Sequence, residues 1–228
     1  MANCVFAVGD IHGRLDLLEP MLEQIAASPG FGRDSQLVFL GDYVDRGGQS
    51  AGVIDLLASL DGRDNVHCLT GNHEIAMLNF LSDPVRYSAW LDWGGDATIL
   101  SYGVRAPHDS DHAAFVTALR DGLAAAMPDH HLRFLRGLKS HLVIDETLYV
   151  HAGIRPGVPL AEQSLKDMTE IRAAFLNHRG PHPYYVVHGH TPVSEPEILD
   201  NRADIDTGAF ASGRLTCLIV EDGDRRLL

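Results

Sequence analysis

Three shortages limit what this 228-residue chain can be. Cysteine is scarce: Cys4, Cys68 and Cys217 are far apart, no pair has C-x-x-C spacing, and each lies in an apolar run. That pattern fits small hydrophobes in a core rather than a disulfide framework or a thiolate metal site, and it predicts a reducing cytoplasm. Positive charge is also short, since 18 Lys and Arg against 31 Asp and Glu leave a formal charge of −13. A broad nucleic-acid face needs clustered cations that displace counterions, so nucleic acid is not an expected partner. Long apolar stretches are missing too, with none near the ~18 residues that a membrane span requires, so no membrane partner is expected. The first residues pass almost directly into Cys4–Val8 without a basic segment or a small-residue cleavage site, which predicts no cleaved leader.

What is present is enough apolar material for a substantial core, 45% of the residues. Cys4–Val8, Gln36–Leu40 and Asn65–Thr70 are nearly continuous apolar runs, as expected of parallel strands buried on both faces. Between them Leu15, Leu18, Leu22 and Ile25, then Val53, Leu56, Leu57 and Leu60, recur at helical spacing. The pattern reads βαβαβ. Residues 75–137 read as mostly helical, over Glu74–Leu81, Trp90–Leu100 and His112–Ala126, with Pro84, Gly103, Pro107 and Pro128 as punctuation. His141–Ile144 and Thr147–His151 predict a hairpin around Asp145-Glu146. Tyr184–His188, Glu197–Leu199 and Arg214–Glu221 are further strand candidates. A parallel first half and a more antiparallel second half predict an α/β fold, a two-sheet β-sandwich core flanked by helices. We expect one domain over residues 1–228, with a mainly helical, substrate-proximal segment at about 75–140.

Polar residues gather where the apolar runs stop. They are Gly9-Asp10-Ile11-His12-Gly13, Gly41-Asp42-Tyr43-Val44-Asp45-Arg46-Gly47, Gly71-Asn72-His73-Glu74, His151-Ala152-Gly153 and His188-Gly189-His190-Thr191. In parallel sheets, ligands sit beyond the carboxyl ends of the strands. Asp10 and His12 alternate across Ile11 and can face one side of an extended turn. Carboxylate, imidazole and amide oxygen form a mixed O/N donor set that suits Mn²⁺, Fe or Zn²⁺ and is too rich in imidazole for a Ca²⁺ or Mg²⁺ cage. Each piece alone is weak; five in order, each after an apolar run, are specific.

The set GD-x-HG, GD-x-VDRG and GNHE resembles the calcineurin-like metallophosphoesterases, in the bacterial branch related to the protein serine/threonine phosphatases. The resemblance runs from Gly9 to about Phe210 and includes Trp90-Leu91-Asp92-Trp93-Gly94-Gly95 and Ile205-Asp206-Thr207-Gly208-Ala209. It implies two divalent metal ions per chain, Mn²⁺ with Fe or Zn²⁺ as alternatives. Asp10 and His12 would bind the first, Asp42 would bridge both, and Asn72, His151 and His190 would complete the second. A water or hydroxide bridging the metals would attack phosphorus directly. Arg46 and Arg172 would hold the phosphate. His73 would protonate the leaving oxygen, with Asp45 orienting it and raising its pKa. Two departures stand out: Pro192 replaces a histidine common in the wider family, and Ile205–Phe210 does not match the C-terminal aromatic loop of the eukaryotic enzymes.

Other residues read more plainly. His188 is expected to pack or to support the site. His130 and His131, beside Pro128, are expected at the surface. His178 and His182 flank Gly180-Pro181 in a loop near the site. Trp90 and Trp93 either line the substrate entrance or pack the helical segment. The leading expectation for function is hydrolysis of phosphoserine or phosphothreonine in proteins. The alternative is a small phosphorylated substrate, a dinucleoside polyphosphate, as in symmetrical cleavage of diadenosine tetraphosphate. An inactive fold kept for binding is a third reading, which the intact motifs oppose.

Overall fold

Strand β1 (Val5–Val8) pairs in parallel with β2 (Gln36–Phe39), and β2 with β3 (Val66–Cys68). Helices α1 (Leu15–Ala27) and α2 (Ser50–Leu60) make the two crossovers. The expected βαβαβ unit is therefore present. All four β1 residues are buried, which is why the run does not alternate. The computed structural model describes residues 4–32, 34–105 and 111–228; Pro107, expected above to break a helix, lies outside the described residues.

Helix α3 (Asn72–Ser82) follows β3 directly. The helix expected over Trp90–Leu100 is instead a 3₁₀ turn, Ser88–Trp93, and α4 (Gly95–Ser101). The break is Gly94, with φ 101°, whose carbonyl accepts the Arg46 N–H at 3.1 Å. A Cβ on Gly94 would lie 2.6 Å from that nitrogen, so only glycine permits this approach. Next come α5 (His112–Ala126) and α6 (Asp129–Gly137). His131 was expected at the surface; it is buried, because α6 turns it inward against Tyr102.

Strands β4 (His141–Ile144) and β5 (Thr147–Val150) form the expected hairpin. Helices α7 (Leu165–Glu170) and α8 (Ala173–Leu176) then lead to β6 (Tyr185–His188), β7 (Glu197–Ile198) and β8 (Arg202–Asp204). This half is less antiparallel than expected, since β5, β6 and β8 pair in parallel. The helical crossover returns the chain to the start of β5, which imposes parallel pairing. After α9 (Ala209–Ser212), β9 (Cys217–Glu221) and β10 (Asp224–Leu227) rejoin the first sheet, with β9 antiparallel to β1.

The strand orders are β10-β9-β1-β2-β3 and β4-β5-β6-β8-β7. Val5, Ala7, Val38 and Leu40 meet Tyr149, Val187, Ala203 and Ile205 between the sheets. Phe6, Val8, Leu37 and Phe39 face the other way, into the core under the helices that follow β1, β2 and β3. Leu148, Val150 and Val186 pack with Met168 and Phe175 of α7 and α8. The result is the expected two-sheet sandwich with helices on both outer faces. It brings the carboxyl ends of β1, β2, β3, β5 and β6 to one edge.

Candidate metal centre

The loops at that edge are built from backbone that L-residues adopt reluctantly. Seven non-glycine residues among those described have positive φ, and five are predicted site residues: His12, Asp42, Asp45, Arg46 and His190. Such conformations persist only where surrounding contacts over-determine them, and they concentrate at functional sites. Glu74 supplies much of that determination. Its buried carboxylate accepts the N–H groups of Gly71 and Asp42 at 2.9 Å and of Tyr43 at 2.7 Å, tying the start of α3 to the loop after β2. Sequence reasoning assigned Glu74 no role, although its position three residues after Gly71 has the spacing of a helix capping box. A side chain at Gly71 would collide with Asp42 Oδ1, and one at Gly189 with Asp10 Oδ1.

Two buried clusters of donor atoms share Asp42. In one, His12 Nε2 lies 3.5 Å and His73 Nε2 3.8 Å from Asp42 Oδ2. In the other, His151 Nε2 lies 3.3 Å from Asp42 Oδ1 and 3.2 Å from Asn72 Oδ1, with His190 beside it. Each carboxylate oxygen of Asp42 thus serves one cluster. The imidazoles are held by their other nitrogens. His12 Nδ1 donates to the Val44 carbonyl at 2.9 Å and His151 Nδ1 to that of Leu40 at 3.0 Å. In their neutral forms both rings would present Nε2 lone pairs to carboxylate and amide oxygens, which are also acceptors.

Acceptors facing acceptors in a buried site call for a cation. Asp10 Oδ1 and His190 Nε2 are buried without a hydrogen-bond partner, while Asp10 Oδ2 accepts the His190 N–H at 3.1 Å. Asp10 belongs to neither cluster, but its unsatisfied oxygen is open to a ligand role. Burial, reinforced by Asp206 and Asp42, pushes the Asp10 carboxyl well above its usual range. Burial also lowers His12 and His190 to about 3, leaving the neutral imidazoles that metal binding needs. Asp42 is pushed up by burial, yet His151 and His73 prevail and hold it well below the carboxylate range. The residues present fit divalent cations.

His73 is gripped from both sides. Its Nδ1 lies 2.6 Å from Asp45 Oδ2, and Arg46 Nη2 reaches its Nε2 at 3.2 Å. Asp45 is fully buried; Trp90 Nε1 donates to it at 2.8 Å and Thr98 Oγ1 at 2.7 Å. Burial lowers the His73 pKa, but the Asp42 and Asp45 carboxylates outweigh it and raise the pKa overall.

An open cleft of about 480 Å³ lies over the clusters, lined by Arg46, His73, Trp93, Glu170, Arg172 and His190. Arg172 sits in the break between α7 and α8 and reaches the cleft from there. The two tryptophans divide. Trp90, 2% exposed, packs beneath Asp45, whereas Trp93, 49% exposed, lines the cleft. Phe210 lies beside Arg46, its ring centroid 4.4 Å from the guanidinium carbon, and 5.4 Å from the His12 ring. No local pattern in the sequence singled out Phe210. His188 is buried against Phe175 and its Nε2 is 3.2 Å from Arg202, so it packs rather than lining the cleft. Its alternation with His190 ends with the strand, because His190 turns to φ 69°. His178 and His182 stack on each other and are not among the cleft-lining residues. A larger concavity, about 570 Å³, lies beside the β4–β5 turn and includes none of the predicted site residues.

A two-sheet sandwich carrying paired O/N clusters at its strand ends defines a metallophosphoesterase architecture. A family model for calcineurin-like phosphoesterases matches residues 5–213, and the chain belongs to that family. It is 25% identical to a bis(5'-nucleosyl)-tetraphosphatase PrpE [asymmetrical] of Geobacillus thermodenitrificans, across 92% of this chain and 88% of that protein. It is 27% identical, with the same coverage, to the protein of that name from Bacillus thuringiensis. A solved structure described as a candidate diadenosine tetraphosphatase superposes with a TM-score of 0.69 at 21% identity, covering 99% of this chain and 93% of that one. A cold-active protein-tyrosine phosphatase from Shewanella superposes with a TM-score of 0.60 at 19% identity, covering 99% and 80%. These two likenesses concern the fold.

Proposed function

We propose that this chain hydrolyses a phosphoanhydride bond of a dinucleoside polyphosphate, in a site holding two divalent cations. The leading expectation from the sequence was a phosphoprotein substrate. The names of both curated relatives support the nucleotide alternative instead. The observation that carries the reading is the setting of Arg46: an exposed indole, Trp93, lines the same cleft and an aromatic ring, Phe210, lies against the guanidinium. A phosphate gripped by arginine between aromatic surfaces suits a ligand that ends in flat bases, because every base has a π-face to stack.

Asp10, His12 and Asp42 would hold one cation, and Asp42, Asn72, His151 and His190 the other; when bound, the cations supply an activated water and neutralise phosphate charge. Arg46 and Arg172 bind phosphate oxygens and orient the chain of phosphates. Once Arg46 turns to phosphate it releases His73 Nε2, which can then carry a proton to the leaving oxygen. Asp45 holds the opposite nitrogen of the ring and keeps Nε2 aimed outward. Glu74, Thr98 and Trp90 act through these residues by fixing loop and ring positions. The helical segment over residues 75–140 contributes Trp93 and so bears on substrate choice.

The test is product analysis of diadenosine tetraphosphate after incubation with Mn²⁺. ATP and AMP are expected, in keeping with the bracketed term in the relatives' names; ADP alone would restore the symmetrical cleavage first expected. Trp93→Ala should raise KM for this substrate about tenfold, the stacking contribution being roughly 1–3 kcal/mol, and leave p-nitrophenyl phosphate hydrolysis near wild type. Turnover of phosphopeptide but not of the dinucleotide would sink the reading.

A further inference from the structure

A third cluster of metal-ligating side chains lies away from the cleft. Asp55 is on α2, and His130 and His131 are adjacent near the start of α6. Asp55 Oδ1 lies 3.2 Å from His130 Nε2 and 3.1 Å from His131 Nε2, and the three atoms are mutually within 4.8 Å. We propose that these residues form a further, solvent-facing site for a borderline transition-metal ion such as Zn²⁺, which bridges α2 and α6.

The spacing suits such an ion. Bonds of about 2.0–2.2 Å in a tetrahedron set neighbouring ligand atoms roughly 3.3 Å apart, and both separations from Asp55 Oδ1 are already close to that value. The donor set is two imidazoles and one carboxylate, which favours Zn²⁺, Ni²⁺ or Cu²⁺ over Mg²⁺ or Ca²⁺. His131 is already oriented: its Nδ1 lies 2.9 Å from the Tyr102 hydroxyl, a partner on the second nitrogen of the kind that positions metal-bound histidines. The rings of His130 and His131 meet edge to face at 4.4 Å, and both Nε2 atoms face Asp55. The Asp55 side chain is 68% exposed and that of His130 49%, so water can complete the coordination sphere. The ion would join two helices on the outer face of the first sheet and, through Tyr102, the end of α4. Thr98, on α4, holds Asp45.

The test is Zn²⁺ equilibrium dialysis with elemental analysis, comparing wild type with Asp55→Asn and His130→Ala. Wild type should retain one more Zn²⁺ per chain than either variant, whatever number the main centre holds. A His12→Ala/His151→Ala chain should keep that extra ion. Zn²⁺ should also suppress diethylpyrocarbonate modification of His130, scored by peptide mass spectrometry, in wild type but not in Asp55→Asn. Equal Zn²⁺ content in wild type and both variants, or modification of His130 unaffected by Zn²⁺, would leave only two imidazoles hydrogen-bonded to a carboxylate and overturn the proposal.

Discussion

Asp45 Oδ2 lies 2.6 Å from His73 Nδ1 and 2.8 Å from Trp90 Nε1, so one buried oxygen orients the imidazole and is itself held by an indole. The other ring nitrogen, His73 Nε2, lies 3.2 Å from Arg46 Nη2. With Nδ1 held by Asp45, Nε2 is the nitrogen that can exchange protons with a ligand in the cleft once Arg46 turns away from it.

His73→Asn should therefore lower kcat on diadenosine tetraphosphate by roughly 10²–10³-fold, the range for losing a positioned general acid. Metal content should remain near wild type, measured on the same preparation. A kcat within a factor of three of wild type would show that the leaving oxygen takes its proton elsewhere.

The pH profile should move with Asp45. Its carboxylate helps raise the His73 pKa, so the protonated acid persists to higher pH and activity falls only as pH passes through that raised value. Asp45→Asn removes this contribution. The alkaline limb of kcat should then shift to lower pH, and an unmoved limb would assign it to another group.

Asp42→Asn should cost metal at both sites, because each carboxylate oxygen faces a different cluster. Elemental analysis should find fewer than two ions per chain after gel filtration in EDTA-free buffer. Two tightly held ions would exclude the bridging role.

Prolonged chelation should abolish activity, and Mn²⁺ should restore it better than Mg²⁺, since imidazole donors suit the former. Full activity after exhaustive dialysis against EDTA would contradict the cation requirement.

Glu74→Gln should destabilise the chain without touching substrate. The variant amide nitrogen would face backbone N–H groups that now donate to a carboxylate, and each unsatisfied buried donor costs about 1–3 kcal/mol. Urea denaturation should show a lower midpoint with an unchanged slope. A midpoint equal to wild type would mean that the loop after β2 is held by other contacts.

The sequence by itself determined where the candidate site residues sit along the chain. Apolar runs that end in Gly-Asp or Gly-Asn mark buried strands feeding polar loops, so Asp10, Asp42 and Asn72 could be placed at strand ends without coordinates. The first sheet's βαβαβ unit was legible for the same reason, since β1 and most of β2 are buried on both faces. Two later strands were not: β8 is Arg202-Ala203-Asp204 and β10 carries Asp224, Arg225 and Arg226, and neither is apolar enough to announce a strand. Tertiary structure alone decided the relations between distant loops. It gave one Asp42 oxygen to each cluster, sent Trp90 under Asp45 and left Trp93 in the cleft, brought Phe210 against Arg46, and turned His131 onto Asp55. These depend on how two sheets stack and where helices break. Local residue patterns carry the period of an element and the chemistry of its ends, but not which loop will lie opposite across a packed core.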